Sequence, residues 1–224
     1  MFLTETHMHT KLASPCCHVD PAVSVPEYAA KGYTTLVITD HFKRFCREHY
    51  QKQDPTAWID HYLSGYRAAC KAAEGVDGMH VLLGMEITFD ENANDYLVYG
   101  PTEEDLYREP AFYTWSLRRF HDYAAERGWL VIQAHPFRNY MSVMPPNHID
   151  GIEVCNANPR HDSRNDIASA WANKFQLLKT AGSDYHQLED LSRGGIVTNT
   201  PITTVTELVD AIRRGVGLYI GDHR

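Results

Sequence analysis

The sequence predicts an α/β fold, a closed or nearly closed β/α barrel, with an open doubly wound sheet as the alternative. Short runs rich in β-branched and apolar residues alternate with longer amphipathic segments, as in repeated βα units around a parallel sheet. The 224-residue length suits one barrel-type domain, which we expect over residues 1–224. No linker, internal repeat or low-complexity tract interrupts the pattern.

Eight runs are predicted strands: 2–6, 34–39, 80–87, 129–134, 151–154, 178–182, 195–198 and 216–220. Five segments are predicted helices: 25–32, 54–75, 111–127, 162–177 and 204–214. The first is expected to open on Pro26 and to end at Gly32, and the second has Asp54 as N-cap with Pro55 behind it. Residues 87–101 break the alternation and predict a hairpin around a polar turn.

Composition and motifs exclude several classes of protein. The net charge is 21 − 29 = −8 without a basic run, which argues against nonspecific nucleic-acid binding. Five cysteines without a CxxC pair indicate neither a disulfide scaffold nor a zinc ribbon, and favour a reducing compartment. Neither a signal peptide nor a membrane span is evident, so we expect a cytoplasmic protein with no membrane partner. GxGxxG and GxxxxGK[ST] loops are absent.

Metal-capable side chains follow six of the apolar runs. In chain order they are His7 and His9, Asp40 and His41, Glu86, His135, Glu153, and Asp184 with His186. Because barrels of this class place their active sites at the carboxyl ends of the strands, we expect these side chains to converge. Residues two apart in a strand share a face, so His7 and His9 point to one place.

Each of these residues also has an ordinary structural interpretation when taken alone. Asp40 could cap the following helix, Glu86 could pair with an arginine, and Asp184 could be a turn residue. Converging carboxylates without a cation would repel one another, so the combination predicts a multinuclear metal site. His18, in the loop after the first strand, is a further predicted ligand, with Asp20 or Cys17 as substitutes.

The motifs ETHMHT, VITDHF, LGMEI, QAHPFR, GIEVCN and AGSDYH span residues 5–186. Together they resemble those of the polymerase and histidinol phosphatase (PHP) superfamily of metal-dependent phosphoesterases. The resemblance implies a distorted (β/α)7 TIM-like barrel. It also implies two or three divalent metal ions at the carboxyl ends of the strands.

The resemblance further implies a ligand set for each metal. The first would be held by His7, His9, Glu86 and Asp184. Glu86 would bridge to the second, which also takes His135, and the third would be held by His18, His41 and His186. The family pattern supplies another histidine for the second metal, but here the interval offers only His121, on a predicted helix. Asp95, Asn94 or water would complete that site.

Such a cluster suits attack of an activated water, a hydroxide bridging two cations, on a phosphoryl group. Mixed imidazole and carboxylate ligands suit Zn, Mn or Fe. Arg138 and Arg193 follow His135 and His186 on the same barrel face and are predicted to bind phosphate, while the role of Arg160 is left open. The predicted catalytic residues are Glu86, Asp184, His186, Arg138 and Arg193.

We therefore predict a metal-dependent phosphoesterase acting on a small phosphomonoester, with no stable nucleic-acid partner. One alternative is an amidohydrolase-type enzyme that cleaves a C–N bond, since those barrels also begin with HxH. That class expects histidines closing two successive middle strands, and only His135 fits. The other alternative is a noncatalytic metal-binding PHP domain. The sequence names neither the substrate nor the oligomeric state.

Overall fold

The computed structural model describes residues 1–221. Over that range the chain forms ten strands in one sheet, numbered along the chain. The strands are β1 Phe2–Met8, β2 Tyr33–Ile38, β3 His41–Phe42, β4 His80–Thr88, β5 Asp95–Tyr99, β6 Leu130–Gln133, β7 Gly151–Asn156, β8 Leu178–Gly182, β9 Gly194–Thr198 and β10 Gly217–Ile220. The last three residues of the predicted domain lie outside the described range, and the single-domain assignment over 1–224 remains a prediction.

The sheet curls into a nearly closed barrel, which confirms the predicted fold class. Its strand order is β10-β9-β1-β2-β4-β5-β6-β7-β8, with β3 paired to β4. β1 and β2 are parallel, as are β2 and β4, and β6 to β8. The barrel closes where β8, at one end of this path, approaches β1: the Thr6 hydroxyl of β1 donates to the carbonyl of Ala181 in β8, at 2.8 Å.

The antiparallel strands distort the barrel. β5 pairs antiparallel with both β4 and β6, which confirms the hairpin predicted at residues 87–101. β9 pairs antiparallel with β1 and with β10. The last two predicted strands therefore form, but they do not continue the parallel βα repeat.

Seven α-helices cover the sheet within residues 1–221. They are α1 Pro21–Ala30, α2 Arg44–His49, α3 Pro55–Ala73, α4 Glu103–Arg108, α5 Leu117–Glu126, α6 Asn165–Phe175 and α7 Val205–Arg214. α2 and α4 were not expected from the sequence. α5 is shorter than predicted because residues 112–114 form a separate 3-10 turn and Ser116 caps the helix, accepting from the Arg119 amide at 3.3 Å.

The predicted start of α1 is wrong by four residues. Asp20 caps the helix, its carboxylate accepting from the Ala22 amide at 2.9 Å, and Pro21 is the first helical residue. Pro26 consequently lies inside the helix. The Asp-Pro pair at 20–21 is the same signal that placed α3 correctly from Asp54 and Pro55.

Two packing layers leave one end of the barrel free for polar residues. α3 and α5 pack aromatic side chains, including Trp58, Tyr62 and Phe120, against the outside of the sheet. α7 packs Leu208 and Ile212 against apolar side chains of β2, β4, β5 and β6. Among the described residues, none of the helices combines the length and the apolar composition that crossing a membrane requires.

Candidate metal centre

Seven of the eight predicted metal ligands meet at one end of the barrel. His7 is the second-last residue of β1, and His9 follows that strand. His41 is the first residue of β3 and pairs in register with Glu86 of β4. The others, His135, Asp184 and His186, lie in the segments that follow β6 and β8. Parallel pairing of β1, β2 and β4 places their carboxyl ends side by side, as the barrel argument predicted.

Glu86 is the centre of this cluster. Its Oε1 lies 3.2 Å from Nε2 of His7 and 3.2 Å from Nε2 of His135. Its Oε2 lies 2.7 Å from Nδ1 of His41 and 3.4 Å from Nε2 of His9. The Glu86 side chain is 1% exposed, so this carboxylate is ringed by four imidazoles in a space nearly closed to solvent.

Asp184 faces the same space from the opposite side. Its Oδ1 lies 3.3 Å from Nε2 of His7, 3.5 Å from Nε2 of His9 and 3.4 Å from Nδ1 of His186. Its Oδ2 accepts from Nη2 of Arg138 at 2.8 Å. Asp184 has a φ of 51°, a left-handed conformation that side chains rarely adopt and that places this carboxylate beside β1.

These atoms fit divalent cations better than they fit each other. Three buried atoms have no hydrogen-bond partner within residues 1–221: Nε2 of His7, Nε2 of His9 and Oε2 of Glu86. Each imidazole nitrogen nevertheless lies within 3.5 Å of a Glu86 carboxylate oxygen. Two ligands at the ~2.1 Å bond lengths of a transition metal lie about 3.0 to 3.4 Å apart. The spacing therefore matches a shared cation, and His7, His9, Glu86 and Asp184 could hold the first metal.

A second group contains Glu86, His135 and Asp95. Oδ2 of Asp95 lies 4.0 Å from Nε2 of His135, while its other oxygen accepts from the Thr88 hydroxyl. Asn94 is engaged elsewhere, because its amide group exchanges two hydrogen bonds of 2.8 Å with the backbone of Ser142. Of the two side chains offered for this site, the structure brings Asp95 to it and not Asn94.

The third group differs from the prediction. His9, His41 and His186 converge, but His18 is exposed and only its backbone amide approaches, donating to the His186 carbonyl at 2.9 Å. Both substitutes are also committed elsewhere. Cys17 contacts the His9 carbonyl at 3.3 Å, and Asp20 caps α1 and pairs with Lys11.

Cys16, rather than His18, approaches His41. Its Sγ lies 3.2 Å from Nε2 of His41. Burial raises the pKa of this thiol, but the His186 and His41 imidazoles outweigh it and lower the pKa to about 6. The sequence offered little reason to prefer Cys16, since it lies only two positions before His18 in the same loop.

Glu153 orients the ligands from behind. Its Oε1 lies 2.9 Å from Nδ1 of His7, and its Oε2 accepts from the His135 amide at 3.0 Å and from the Asn156 side chain at 2.9 Å. A carboxylate behind a metal-binding imidazole fixes its orientation and raises its basicity. This gives Glu153, whose role the sequence left open, a supporting function.

The charges within the cluster shift its pKa values strongly. Burial would raise the pKa of Glu86, but His41 and His7 hold it well below its usual range. Burial likewise opposes ionisation of Asp184, yet the imidazole of His7 and neighbouring donors keep its pKa low. For His9 the pKa is well below normal, because burial and the nearby His186 and His41 all disfavour its cation. Burial opposes the cations of His7 and His41 as well, but neighbouring carboxylates raise both pKa values, that of His41 to about 10. Of these three, only His9 therefore favours the neutral imidazole that metal binding needs, and a bound cation would displace the protons of His7 and His41.

The cluster opens into a cavity of about 320 Å³ that is rich in cationic side chains. Arg138 and Arg160 line it, and Arg160 is held by Asp190 through contacts of 2.5 and 2.7 Å. Lys43, which sequence reasoning missed, also lines it. Burial lowers the pKa of Lys43, but Asp95 and Glu86 more than offset this and raise it. Its position two residues after His41 was the available signal.

Arg193 does not reach this cavity, contrary to the sequence prediction. Its Nε donates to the Glu189 carbonyl at 2.6 Å, and the residue lines a neighbouring groove with Asn158 and His161. His161 borders both spaces.

Comparison with known proteins supports the fold. A family model described as PHP-associated matches residues 162–216. No curated protein matches the chain in sequence.

Solved structures resemble the whole chain at low identity. PsfC from Pseudomonas syringae PB-5123 superposes with a TM-score of 0.69 at 17% identity, covering 98% of this chain and 91% of PsfC. A two-domain protein from Bacteroides vulgatus, containing a predicted PHP-like metal-dependent phosphoesterase, gives 0.64 at 17% identity over 98% of this chain and 64% of its own. Endonuclease Q, solved with a 27-mer duplex carrying an abasic lesion, gives 0.64 at 15% identity over 98% and 58%.

Proposed function

We propose that the chain is a member of the PHP superfamily and that it is a metal-dependent hydrolase that cleaves small phosphomonoesters. The observation that carries the proposal is the joint arrangement of ligands and cations. Buried imidazoles and carboxylates at ligand spacing open directly into a cavity lined by Lys43, Arg138 and Arg160. A centre of this kind beside fixed positive charge suits a phosphoryl group.

The protein groups have separate tasks in this proposal. His7, His9, Glu86 and Asp184 would hold the first metal, and Glu86, His135 and Asp95 the second. When bound, divalent cations would supply an acidified water and offset the charge that develops on phosphoryl oxygens. Glu153 keeps the His7 ring oriented through its 2.9 Å contact with Nδ1.

Arg138 is the best-supported phosphate donor. One of its nitrogens, Nη2, is committed to Asp184 at 2.8 Å, so the side chain is fixed beside a ligand. Its Nε is buried and has no hydrogen-bond partner among residues 1–221. An unsatisfied buried donor is costly, and a phosphoryl oxygen in the cavity would satisfy it. Lys43 on the Glu86 side and Arg160 on the other would add positive charge around the same oxygens.

The cavity size favours a small substrate over a polymer. A volume of about 320 Å³ lies at the lower end of the range for small-molecule sites. The net charge of −8 also disfavours a stable complex with nucleic acid. Cleavage of a DNA strand, suggested by the likeness to Endonuclease Q, is therefore the second activity to assay.

The test is hydrolysis by chain loaded separately with Mn²⁺, Zn²⁺ or Fe²⁺. We expect release of phosphate from at least one member of a panel of aryl, sugar, nucleotide and amino-alcohol phosphates. Chelation should abolish it, and Asp184→Ala should remove it while the far-ultraviolet circular dichroism stays unchanged. His121→Ala, a histidine on α5 that contacts Asp150, is the matched control.

Other outcomes assign the chain elsewhere. Cleavage of cyclic amides or ureides but not of phosphates would favour the amidohydrolase alternative. Cleavage of DNA carrying an abasic site, with every monoester inert, would identify a nuclease. Loss of folding in Asp184→Ala, together with no activity in the loaded chain, would favour a noncatalytic metal-binding domain.

A further inference from the structure

We infer that the thiolate of Cys16 is a metal ligand, completing with His41 and His186 the third site that the sequence assigned to His18. The inference rests on the metal-dependent character proposed above but not on the substrate. It concerns a ligand type that the other two groups lack, since those contain only imidazoles and carboxylates.

The loop after β1 is built to hold Cys16 in place. Asp40 accepts from the Thr10 amide at 2.7 Å, from the Thr10 hydroxyl at 2.8 Å and from the Ser14 hydroxyl at 2.7 Å. The Cys17 amide then donates to the Ser14 carbonyl at 3.0 Å, which closes a tight turn around Cys16. The position of Cys16 therefore follows from buried hydrogen bonds on both sides of it.

The surroundings of Cys16 are those of a ligand. Its Sγ lies 3.2 Å from Nε2 of His41, near the about 3.5 Å expected for sulfur and nitrogen on one tetrahedral zinc. Nδ1 of His41 is turned toward Glu86, at 2.7 Å. A second observation is independent of the cysteine: His9, His41 and His186 bring potential ligand atoms within 4.8 Å of one another, as ligands of a shared cation would.

His18 cannot take the same place without rearranging the loop. Both Cys16 and His18 are exposed, but Sγ of Cys16 contacts His41, whereas His18 is fixed by its backbone amide, which donates to the His186 carbonyl at 2.9 Å. The alternative explanation for Cys16 is a thiol that simply hydrogen-bonds to His41. Both arrangements give a short sulfur to nitrogen distance, so the experiment has to detect a sulfur to metal bond.

A thiolate ligand affects which metal the third site prefers. Binding breaks the S–H bond of Cys16, forms a sulfur to metal bond and releases the proton to solvent, with no change of oxidation state. Thiolate and imidazole ligands favour zinc or iron, whereas carboxylate-rich sites accept manganese. The third site is therefore expected to retain Zn²⁺ against Mn²⁺ more strongly than the sites around Glu86.

The test is cobalt substitution of the full chain after removal of metals with a chelator. Stepwise Co²⁺ loading of the unmodified chain should produce a near-ultraviolet sulfur-to-cobalt charge-transfer band. Cys16→Ser should lose the band and retain one metal equivalent fewer after dialysis. Cys16→His should regain that equivalent without the band, which excludes misfolding as the cause.

Two control variants complete the design. Cys70→Ser, on α3, and His18→Ala, in the same loop, should both keep the band and the full metal content. A cobalt-loaded chain without the band, a band that persists in Cys16→Ser, or loss of the equivalent in His18→Ala would each overturn the inference. If the chain binds no cobalt at all, the metal-dependent function fails with it. If cobalt binds and phosphate is never released, the ligand assignment stands and only the phosphatase proposal fails.

Discussion

Two buried carboxylates, Asp40 and Glu86, lie side by side and do different work. Asp40 follows β2, Glu86 lies in the neighbouring β4, and the Glu86 amide donates to the Asp40 carbonyl at 3.2 Å. They are 2% and 1% exposed. Their position and burial alone do not distinguish them.

Their partners do distinguish them. Asp40 accepts well-formed hydrogen bonds from neutral donors of Thr10 and Ser14, and burial raises its pKa to about 6. Glu86 is surrounded by imidazoles, and its pKa is held well below normal although burial acts the other way. A buried acid satisfied by amides and hydroxyls holds a loop, whereas one ringed by unsatisfied ring nitrogens marks a metal centre.

The largest expected effect comes from Glu86→Gln. Because Glu86 contacts four imidazoles and serves two ligand groups, we expect the metal held by those two groups to be lost and hydrolysis to fall on the order of 10³-fold or more. Metal analysis and steady-state kinetics measure both. Glu74→Gln makes the same chemical change on an exposed residue and should leave both unchanged. Full activity in Glu86→Gln would contradict the assignment of Glu86 as a metal ligand and of Asp40 as a loop-holding residue.

The next effect concerns stability. Asp40→Ala leaves the Thr10 amide, the Thr10 hydroxyl and the Ser14 hydroxyl without their acceptor. We expect the free energy of unfolding to fall by about 4 kcal/mol, since each unsatisfied buried donor costs about 1 to 3 kcal/mol. The melting temperature should drop by about 10 °C. Asp77→Ala, at an exposed site, should change little, and an equally mild effect of Asp40→Ala would show that the loop is held by other contacts.

The two acids should also respond to pH with opposite signs in metal-free protein. The folded state raises the pKa of Asp40 to about 6, so its stabilising contribution is full below about pH 4 and is lost as the pH rises to about 6. The loss amounts to at most about 3 kcal/mol. The folded state lowers the pKa of Glu86, so its contribution is present above about pH 4.5 and is lost as the pH falls.

Urea unfolding with a chelator between pH 3.5 and 7 measures this difference. The destabilisation caused by Asp40→Asn should be greatest at the acid end and shrink toward neutral pH. The destabilisation caused by Glu86→Gln should shrink toward the acid end. Parallel profiles for the two variants would contradict the assigned roles.

The smallest effect tests how tightly the Asp40 region is packed. A Cβ added to Gly65 of α3 would overlap Oγ1 of Thr10 and Oδ2 of Asp40, both fixed by hydrogen bonds. Helix propensity favours alanine by about 1 kcal/mol, but overpacking costs about 1 to 3 kcal/mol. Gly65→Ala should therefore destabilise by about 1 kcal/mol. Gly75→Ala, where the added Cβ meets its nearest atom at 3.8 Å, is the control; a more stable Gly65→Ala would show that the helix can move.

Much of the centre could be predicted because it depends on strand periodicity. His7 and His9 lie two apart at the end of β1, and Glu86, His135 and Asp184 follow or close apolar runs, so pairing the strands brings these residues together. The β4–β5 hairpin could also be predicted from the sequence, because a polar turn separates two β-prone segments. These are local patterns that the backbone geometry converts directly into position.

The loops depended on interactions that no local pattern reveals. Asp40, 30 positions from Thr10, folds the first loop so that Cys16 rather than His18 faces His41. Arg193, directly before β9, lines a neighbouring groove, whereas Lys43, between β3 and α2, lines the cavity. The residues that line the strand ends were thus determined by the sequence alone, because side chains alternate along a strand with a fixed period. Which loop residues join them was decided by the tertiary structure, because loop conformation depends on hydrogen bonds to distant buried groups.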